Sequence, residues 1–155
     1  MTTTAPGQQV PDVVLTDEDG AKVRLRDLLG KRVVLFFYPK DNTPGCTTQA
    51  CSLRDSWSQF EGLDDVVVYG VSPDSSNSHV KFRQKYDLPF HLLVDEGHKL
   101  ADAFEIWRER TKYGRTFMGI ERSTVIIEAD GTVRTIKRQV KPAEHTEWLQ
   151  AELEL

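Results

Sequence analysis

Between Arg32 and Tyr38 the chain reads R-V-V-L-F-F-Y, continuously apolar after its first residue and rich in β-branched and aromatic side chains. Such a run has no polar face to offer water, so it predicts a strand covered on both faces at the centre of a layered sheet. Pro39, Asp41, Asn42, Pro44 and Gly45 end it. From Cys46 to about Phe60 the breakers vanish, and Ala50, Leu53, Trp57 and Phe60 recur at three- and four-residue spacing, one face of an amphipathic helix. Strand, turn and helix in this order deliver Cys46 to a first helical turn. Unpaired backbone N–H groups and the helix dipole there favour a thiolate over a thiol.

A free cysteine with a pKa of ~8.5 is about 3% thiolate at neutral pH, whereas a pKa of ~6 makes it about 90% thiolate, a difference of roughly 3.4 kcal/mol. A helix terminus supplies roughly 0.3 to 2 kcal/mol of this. A reactive thiol at Cys46 therefore calls for a second cationic or hydrogen-bonding group.

The remaining elements alternate. Val66 to Val71 is a second buried strand, S-P-D-S-S-N-S carries turn and N-cap residues, and His79 to Tyr86 fits a helix. Phe90 to Asp95 is a short strand and His98 to Ile106 is helical. Arg122 to Glu128 and Thr132 to Arg138 form a hairpin about Ala129-Asp130-Gly131, and Glu144 to Leu155 closes the chain as a helix after Pro142. Val13 to Thr16 and Lys22 to Leu25, around E-D-G, are a small N-terminal β-hairpin. The order predicts an α/β fold, a mixed central sheet with helices on both faces. Reactive groups belong at the carboxyl ends of its strands, which places Cys46 in an exposed position. The one basic cluster, Arg108 to Arg115, reads as a solvated loop or hairpin, and the surrounding segment from Glu105 to Glu121 is assigned neither an element nor a role.

At 155 residues the chain is expected to be one domain spanning 1–155, without linker, internal repeat or low-complexity segment. The first eight or nine residues are polar and expected to be frayed, with no secretory n- or h-region. No apolar run approaches the ~18 residues of a transmembrane helix, so a cytoplasmic location is the default expectation. With 20 Lys plus Arg against 24 Asp plus Glu, the net charge of -4 gives no electrostatic attraction to nucleic acid or anionic membrane. Two cysteines without an export signal do not suggest a structural staple, because the cytosol keeps thiols reduced. Zinc needs three or four close ligands, and His79, His91, His98 and His145 are scattered, so each reads as a surface or packing residue and no metal site is expected. Cys51 is open to two readings, an inert packing cysteine or a partner of Cys46.

The spacing Pro39-x-x-x-Thr43-x-x-Cys46 resembles the peroxiredoxin motif P-x-x-x-[TS]-x-x-C on a thioredoxin-like fold, and Cys51, five residues on, resembles the bacterioferritin comigratory protein (PrxQ) branch. The likeness continues through V-S-P-D around Ser72, K-Y-D-L-P-F-H-L-L-V-D around Leu88, R-S-T-V-I-I around Arg122, and Asp130-Gly131. It implies a thiol-dependent peroxidase acting on hydrogen peroxide and organic hydroperoxides. Cys46 would be the nucleophile and pass through a sulfenic acid, with Arg122 as the missing cation. The resemblance further implies that the Thr43 hydroxyl bonds the thiolate and peroxide, that Pro39 shapes the pocket, and that Cys51 resolves the sulfenic acid as an internal disulfide. Thioredoxin or a similar dithiol protein would recycle it, in a monomer that needs no metal, haem or flavin.

Residues five apart on an α-helix are about 7.5 Å apart along the axis and about 140° around it, which separates their Cα atoms by ~8.6 Å. Disulfides rarely tolerate more than about 7 Å. If both cysteines lie on one helix, it must unwind before they join. Two rival readings are a general thiol-disulfide oxidoreductase, which would need C-x-x-C where this chain has Gln49, and a redox-switched holdase or interaction module. Phe82, Phe90, Trp107, Tyr113 and Phe117 could wall an apolar peroxide pocket, but each reads first as core.

Overall fold

The computed structural model describes residues 3–61 and 64–154. Its strands are β1 (Val14–Asp17), β2 (Lys22–Arg24), β3 (Arg32–Phe37), β4 (Val66–Ser72), β5 (His91–Val94), β6 (Trp107–Lys112), β7 (Arg115–Ile120), β8 (Ser123–Ile127) and β9 (Val133–Lys137). The helices are α1 (Pro44–Asp55), α2 (Trp57–Glu61), α3 (Ser76–Tyr86), α4 (Lys99–Ala103) and α5 (His145–Glu152).

Seven strands form one mixed sheet in the order β2-β1-β5-β4-β3-β8-β9, with β3, β4 and β5 parallel and β1, β8 and β9 antiparallel to their neighbours. The apolar run sits near its middle as β3, buried on both faces. Val33, Leu35 and Phe37 pack with Leu93, Leu100, Phe104 and Val125, which is the α4 side. Val34, Phe36 and Tyr38 face Ala50, Leu53, Phe82 and Leu149, the side covered by α1, α3 and α5. The expected mixed sheet with helices on both faces is therefore present.

Several boundaries differ from the sequence reading. The helix expected from Cys46 to Phe60 is two helices, because Ser56 leaves helical geometry and its N–H bonds the Leu53 carbonyl. The second helix lays Trp57 against Phe90, with ring centroids 5.6 Å apart. The helix expected from His98 to Ile106 shrinks to α4, since Gly97 and His98 before it and Glu105 after it take left-handed backbone conformations. The closing helix ends at Glu152, and its expected last residue, Leu155, lies outside the described residues. The amino-terminal segment is not frayed from Thr4 onward: Thr4 N–H bonds the Ala103 carbonyl at 2.7 Å, Gly7 N–H bonds that of Val133 at 2.8 Å, and Gln9 bridges Thr132. Met1 and Thr2 lie outside the described residues.

The basic segment is a separate two-stranded sheet of β6 and β7. Tyr113 (φ 54) and Gly114 (φ 74) are both left-handed between Lys112 and Arg115, the backbone of a two-residue primed hairpin turn. Among the described residues no helix is long and apolar enough to cross a membrane.

Candidate active site at the start of helix α1

Thr43 is extended at the N-cap and Pro44 opens α1, where its missing N–H costs nothing and its fixed φ suits the first helical position. Cys46 follows in the first turn. The antiparallel pairing of β3 with β8 sets Phe37 opposite Ser123, so Arg122, one residue earlier, arrives beside the carboxyl end of β3 and the start of α1. Its backbone is held there by the Val140 N–H, which bonds the Arg122 carbonyl at 2.9 Å.

The Arg122 guanidinium is shared between two acceptors. One N–H donates to Cys46 Sγ at 3.4 Å and another to Gln49 Oε1 at 2.6 Å. Gln49 lies one turn beyond Cys46 on the same face of α1 and is fully buried, its Nε2 without a protein partner among the described residues. A β-carbon at Gly45 would lie 3.1 Å from Arg122 Nη2 and 3.4 Å from Pro142 Cγ, so the absent side chain leaves room for the guanidinium close to the helix backbone.

Cys46 is only 2% exposed, which corrects the expectation of an exposed thiol. It stands at the carboxyl end of the sheet as expected, but the first turn of α1 packs down on the cluster containing Val34, Tyr38 and Ala50. Cys51 lies on the same uninterrupted α1, is half-buried, and is not bonded to Cys46. The Thr43 hydroxyl donates to the Lys40 carbonyl at 2.8 Å in place of the sulfur, so its single proton is committed to the loop while its lone pairs stay free. Pro39 is exposed just past β3. Of the five residues expected at the site, Cys46 and Arg122 are in direct contact, Thr43 caps the helix that carries Cys46, Pro39 lies at the start of the loop leading to it, and Cys51 lies further along the helix.

His145, expected to be a surface or packing residue, is a buried member of this neighbourhood. Its Nε2 lies 2.8 Å from Thr124 Oγ1 and its Nδ1 has no protein partner among the described residues. Burial, and then the charge of Arg122, lowers its pKa from 6.5 to about 3. A folded pKa below the unfolded one means that the unfolded chain takes up the proton first. Stability is therefore full above pH 6.5 and falls as pH drops towards 3. We expect the stability difference between wild type and His145→Asn to shrink by up to about 1.4 kcal/mol per pH unit within that window, measured by urea unfolding at stepped pH. Parallel curves for the two proteins would show that His145 carries no such linkage.

Gln49, Gly45 and His145 were not singled out as site residues in the sequence. Gln49 had a signal, since a residue three positions after the cysteine shares its helix face. Gly45 and His145 had none, because their roles depend on where Arg122 arrives from a distant strand.

The AhpC/TSA family model matches residues 6–136. The peroxiredoxin Bcp of Bacillus subtilis is 51% identical over 139 residues, 90% of this chain and 88% of that protein. Escherichia coli K12 peroxiredoxin Bcp is 40% identical over 141 residues, 90% of this chain and 88% of that one. Among solved structures, a PrxQ variant from Xylella fastidiosa superposes with a TM-score of 0.90 at 33% identity, covering 99% of this chain and 98% of that one. The bacterioferritin comigratory protein of Xanthomonas campestris, solved to explain its alkyl peroxide reduction activity, gives a TM-score of 0.87 at 34% identity, covering 98% and 96%. A buried cysteine opening a helix under an arginine from a distant strand, in a chain this close to those proteins along nearly its whole length, belongs to the AhpC/TSA family as a thioredoxin-fold peroxiredoxin of the Bcp/PrxQ branch, a thiol-dependent peroxidase.

Proposed function

We propose that Cys46 is the peroxidatic nucleophile, that Arg122 stabilises its reaction with peroxide, and that Cys51 resolves the product within the same chain. The observation that carries this is the guanidinium 3.4 Å from a buried sulfur in the first turn of a helix. In the first step the Cys46 thiolate attacks the terminal oxygen of the hydroperoxide in line with the O–O bond. An S–O bond forms, the O–O bond breaks, Cys46 becomes a sulfenic acid, and the departing alkoxide or hydroxide takes a proton from water. Negative charge moves from sulfur to the leaving oxygen during this step. Arg122 and the first-turn N–H groups, already oriented by Gln49 and by the N-terminal helix geometry, stabilise that charge without reorganising.

In the second step the Cys51 thiolate attacks the sulfenic sulfur, forming the S–S bond and expelling hydroxide, which leaves as water. With both cysteines on one α-helix this step requires α1 to unwind from its amino end. Thr47, Thr48 and Ser52 are weak helix formers, which lowers the cost. The unwound segment presents the disulfide to a dithiol protein of the thioredoxin kind, which returns both thiols at the expense of its own oxidation. Gln49, which stands where a C-x-x-C motif would carry its second cysteine, is bonded to Arg122, which argues against a general thiol-disulfide oxidoreductase.

The substrate reading includes organic hydroperoxides, following the alkyl peroxide reduction of the Xanthomonas relative. Phe82 and Phe90 are buried core residues, and the grooves they border include neither Cys46 nor Arg122. The open space beside Arg122 is a groove of about 590 Å3 running between Arg108–Thr111 of β6 and Gln139–Val140, a route by which a peroxide with a larger tail can reach the guanidinium. A resolving cysteine within the chain removes the need for a partner subunit, so we read the enzyme as a monomer, one domain over residues 1–155, in the cytoplasm.

Cys51→Ser tests the division of labour. Stoichiometric hydrogen peroxide should oxidise this variant at the wild-type rate, leave a sulfenic acid that a dimedone-type probe captures, and give no internal disulfide by mass spectrometry. Steady turnover with thioredoxin should fall at least about 100-fold, because the disulfide it reduces no longer forms. Full turnover with thioredoxin would remove Cys51 from the cycle.

A further inference from the structure

His79, on α3, is fully buried, and both of its ring nitrogens meet acceptors: Nδ1 lies 2.6 Å from Asp41 Oδ2 and Nε2 lies 2.9 Å from the Leu93 carbonyl oxygen. A backbone carbonyl only accepts, so Nε2 carries a proton. Asp41 also accepts from the Tyr38 hydroxyl at 2.6 Å and from the Ser78 hydroxyl at 2.8 Å, which marks it as an ionised carboxylate. Nδ1 must then carry a proton as well, since its lone pair against that carboxylate would be repulsive. His79 is an imidazolium clamped between β5 and the loop that leads into α1.

That loop is held at every residue from Asp41 to Thr43. The Asp41 N–H donates to Asp74 Oδ2 at 2.7 Å, Asn42 is left-handed and accepts from the Tyr86 hydroxyl at 2.8 Å, and Thr43 is tied back to Lys40. Asp41 stands five residues before Cys46 and joins both its side chain and its backbone to the α3 layer. We propose that His79 is a positioning residue for the Cys46 thiolate: through Asp41 it fixes the loop that aims the first turn of α1, and so holds the sulfur under Arg122. It touches neither peroxide nor sulfur. The ligand-capable atoms of Asp41, Asp74 and His79 lie within 4.8 Å of one another, but those of Asp41 and His79 are all used in these hydrogen bonds.

The charged groups facing His79 are Asp41 from the loop and Asp74 from the turn before α3, and the Tyr38 ring lies 6.5 Å away. Burial opposes the imidazolium charge, but the Asp41 hydrogen bond and charge and the Leu93 carbonyl outweigh it and raise the His79 pKa above 6.5. The clamp is therefore complete below pH 6.5 and is lost as pH rises through the folded value, which gives the peroxide reaction an alkaline decline.

The role rests on Cys46 being the peroxide-reacting thiol, and the test separates the two. Nitrogen NMR of the reduced full chain, followed upward from pH 6, should show His79 protonated on both ring nitrogens at pH 6 and losing a proton only above pH 6.5; a neutral tautomer at pH 6 would overturn the clamp. In a Cys51→Ser background, His79→Gln should slow the stoichiometric peroxide step and iodoacetamide alkylation of Cys46 about 10-fold and flatten the alkaline decline. Asp41→Asn should do the same, and the double variant should be no slower than either single one. Unchanged first-step rates, losses that multiply, or a pH profile that keeps its alkaline limb would assign His79 to packing alone. If the parent itself reacts no faster than a free thiol while NMR shows the imidazolium, the peroxide reading has failed and the positioning role falls with it.

Discussion

Cys46→Ser should have no measurable peroxide turnover, with or without thioredoxin, while folding normally. A serine hydroxyl is not ionised at neutral pH and lacks the polarisable lone pair that attacks an O–O bond, so the first step has no nucleophile. The substitution replaces sulfur by a smaller oxygen in a site 2% exposed, and the hydroxyl can still accept from Arg122, whose bond to Gln49 remains. We therefore expect a midpoint in urea close to wild type and a peroxide consumption rate equal to buffer. Residual turnover in this variant, abolished only by adding Cys51→Ser, would transfer the nucleophilic role to Cys51.

Arg122→Ala should slow the first step by about 10² to 10³, the loss typical of removing one preorganised donor from a site where charge develops. Two effects combine here. The sulfur and the leaving oxygen lose their cation, and Gln49 Oε1, buried and bonded to Arg122 at 2.6 Å, loses its donor. Arg122→Lys should be intermediate, because one ammonium cannot span sulfur and Gln49 as the guanidinium fork does. The formation of the internal disulfide from a preformed sulfenic acid should be nearly unaffected in both. Stopped-flow rates with stoichiometric peroxide separate the steps, and a first-step rate within twofold of wild type in Arg122→Ala would remove Arg122 from the mechanism.

The layering of the fold was legible because β3 is apolar on both faces: that single run demanded a covered central strand, and the elements after it supplied the covers. The position of Cys46 at a helix start was legible because strand, breakers and amphipathic helix place it locally, within one turn of a predictable boundary. Arg122 was reached only through the family motif, since its contact with Cys46 spans 76 positions and depends on the register of β3 with β8. The burial of Cys46 was misjudged for a related reason: lying past the carboxyl end of a strand does not reveal how far the first helical turn is pressed onto the core. His79 and His145, read as scattered, proved to be buried partners of the loop before α1 and of Thr124. Their meaning lies entirely in tertiary pairing, and a sequence shows only that the side chains exist. The break at Ser56 was likewise hidden, because Trp57 and Phe60 keep the helical spacing even though Ser56 leaves helical geometry.

The most direct measurement is the second-order rate at which stoichiometric hydrogen peroxide oxidises the fully reduced protein, beside a free thiol at the same pH, with the product identified by mass. We predict a rate several orders of magnitude above the free thiol and a product lighter by two hydrogens, with Cys46 joined to Cys51. A rate equal to the free thiol, or a fast reaction whose product lacks that bond, would contradict the account.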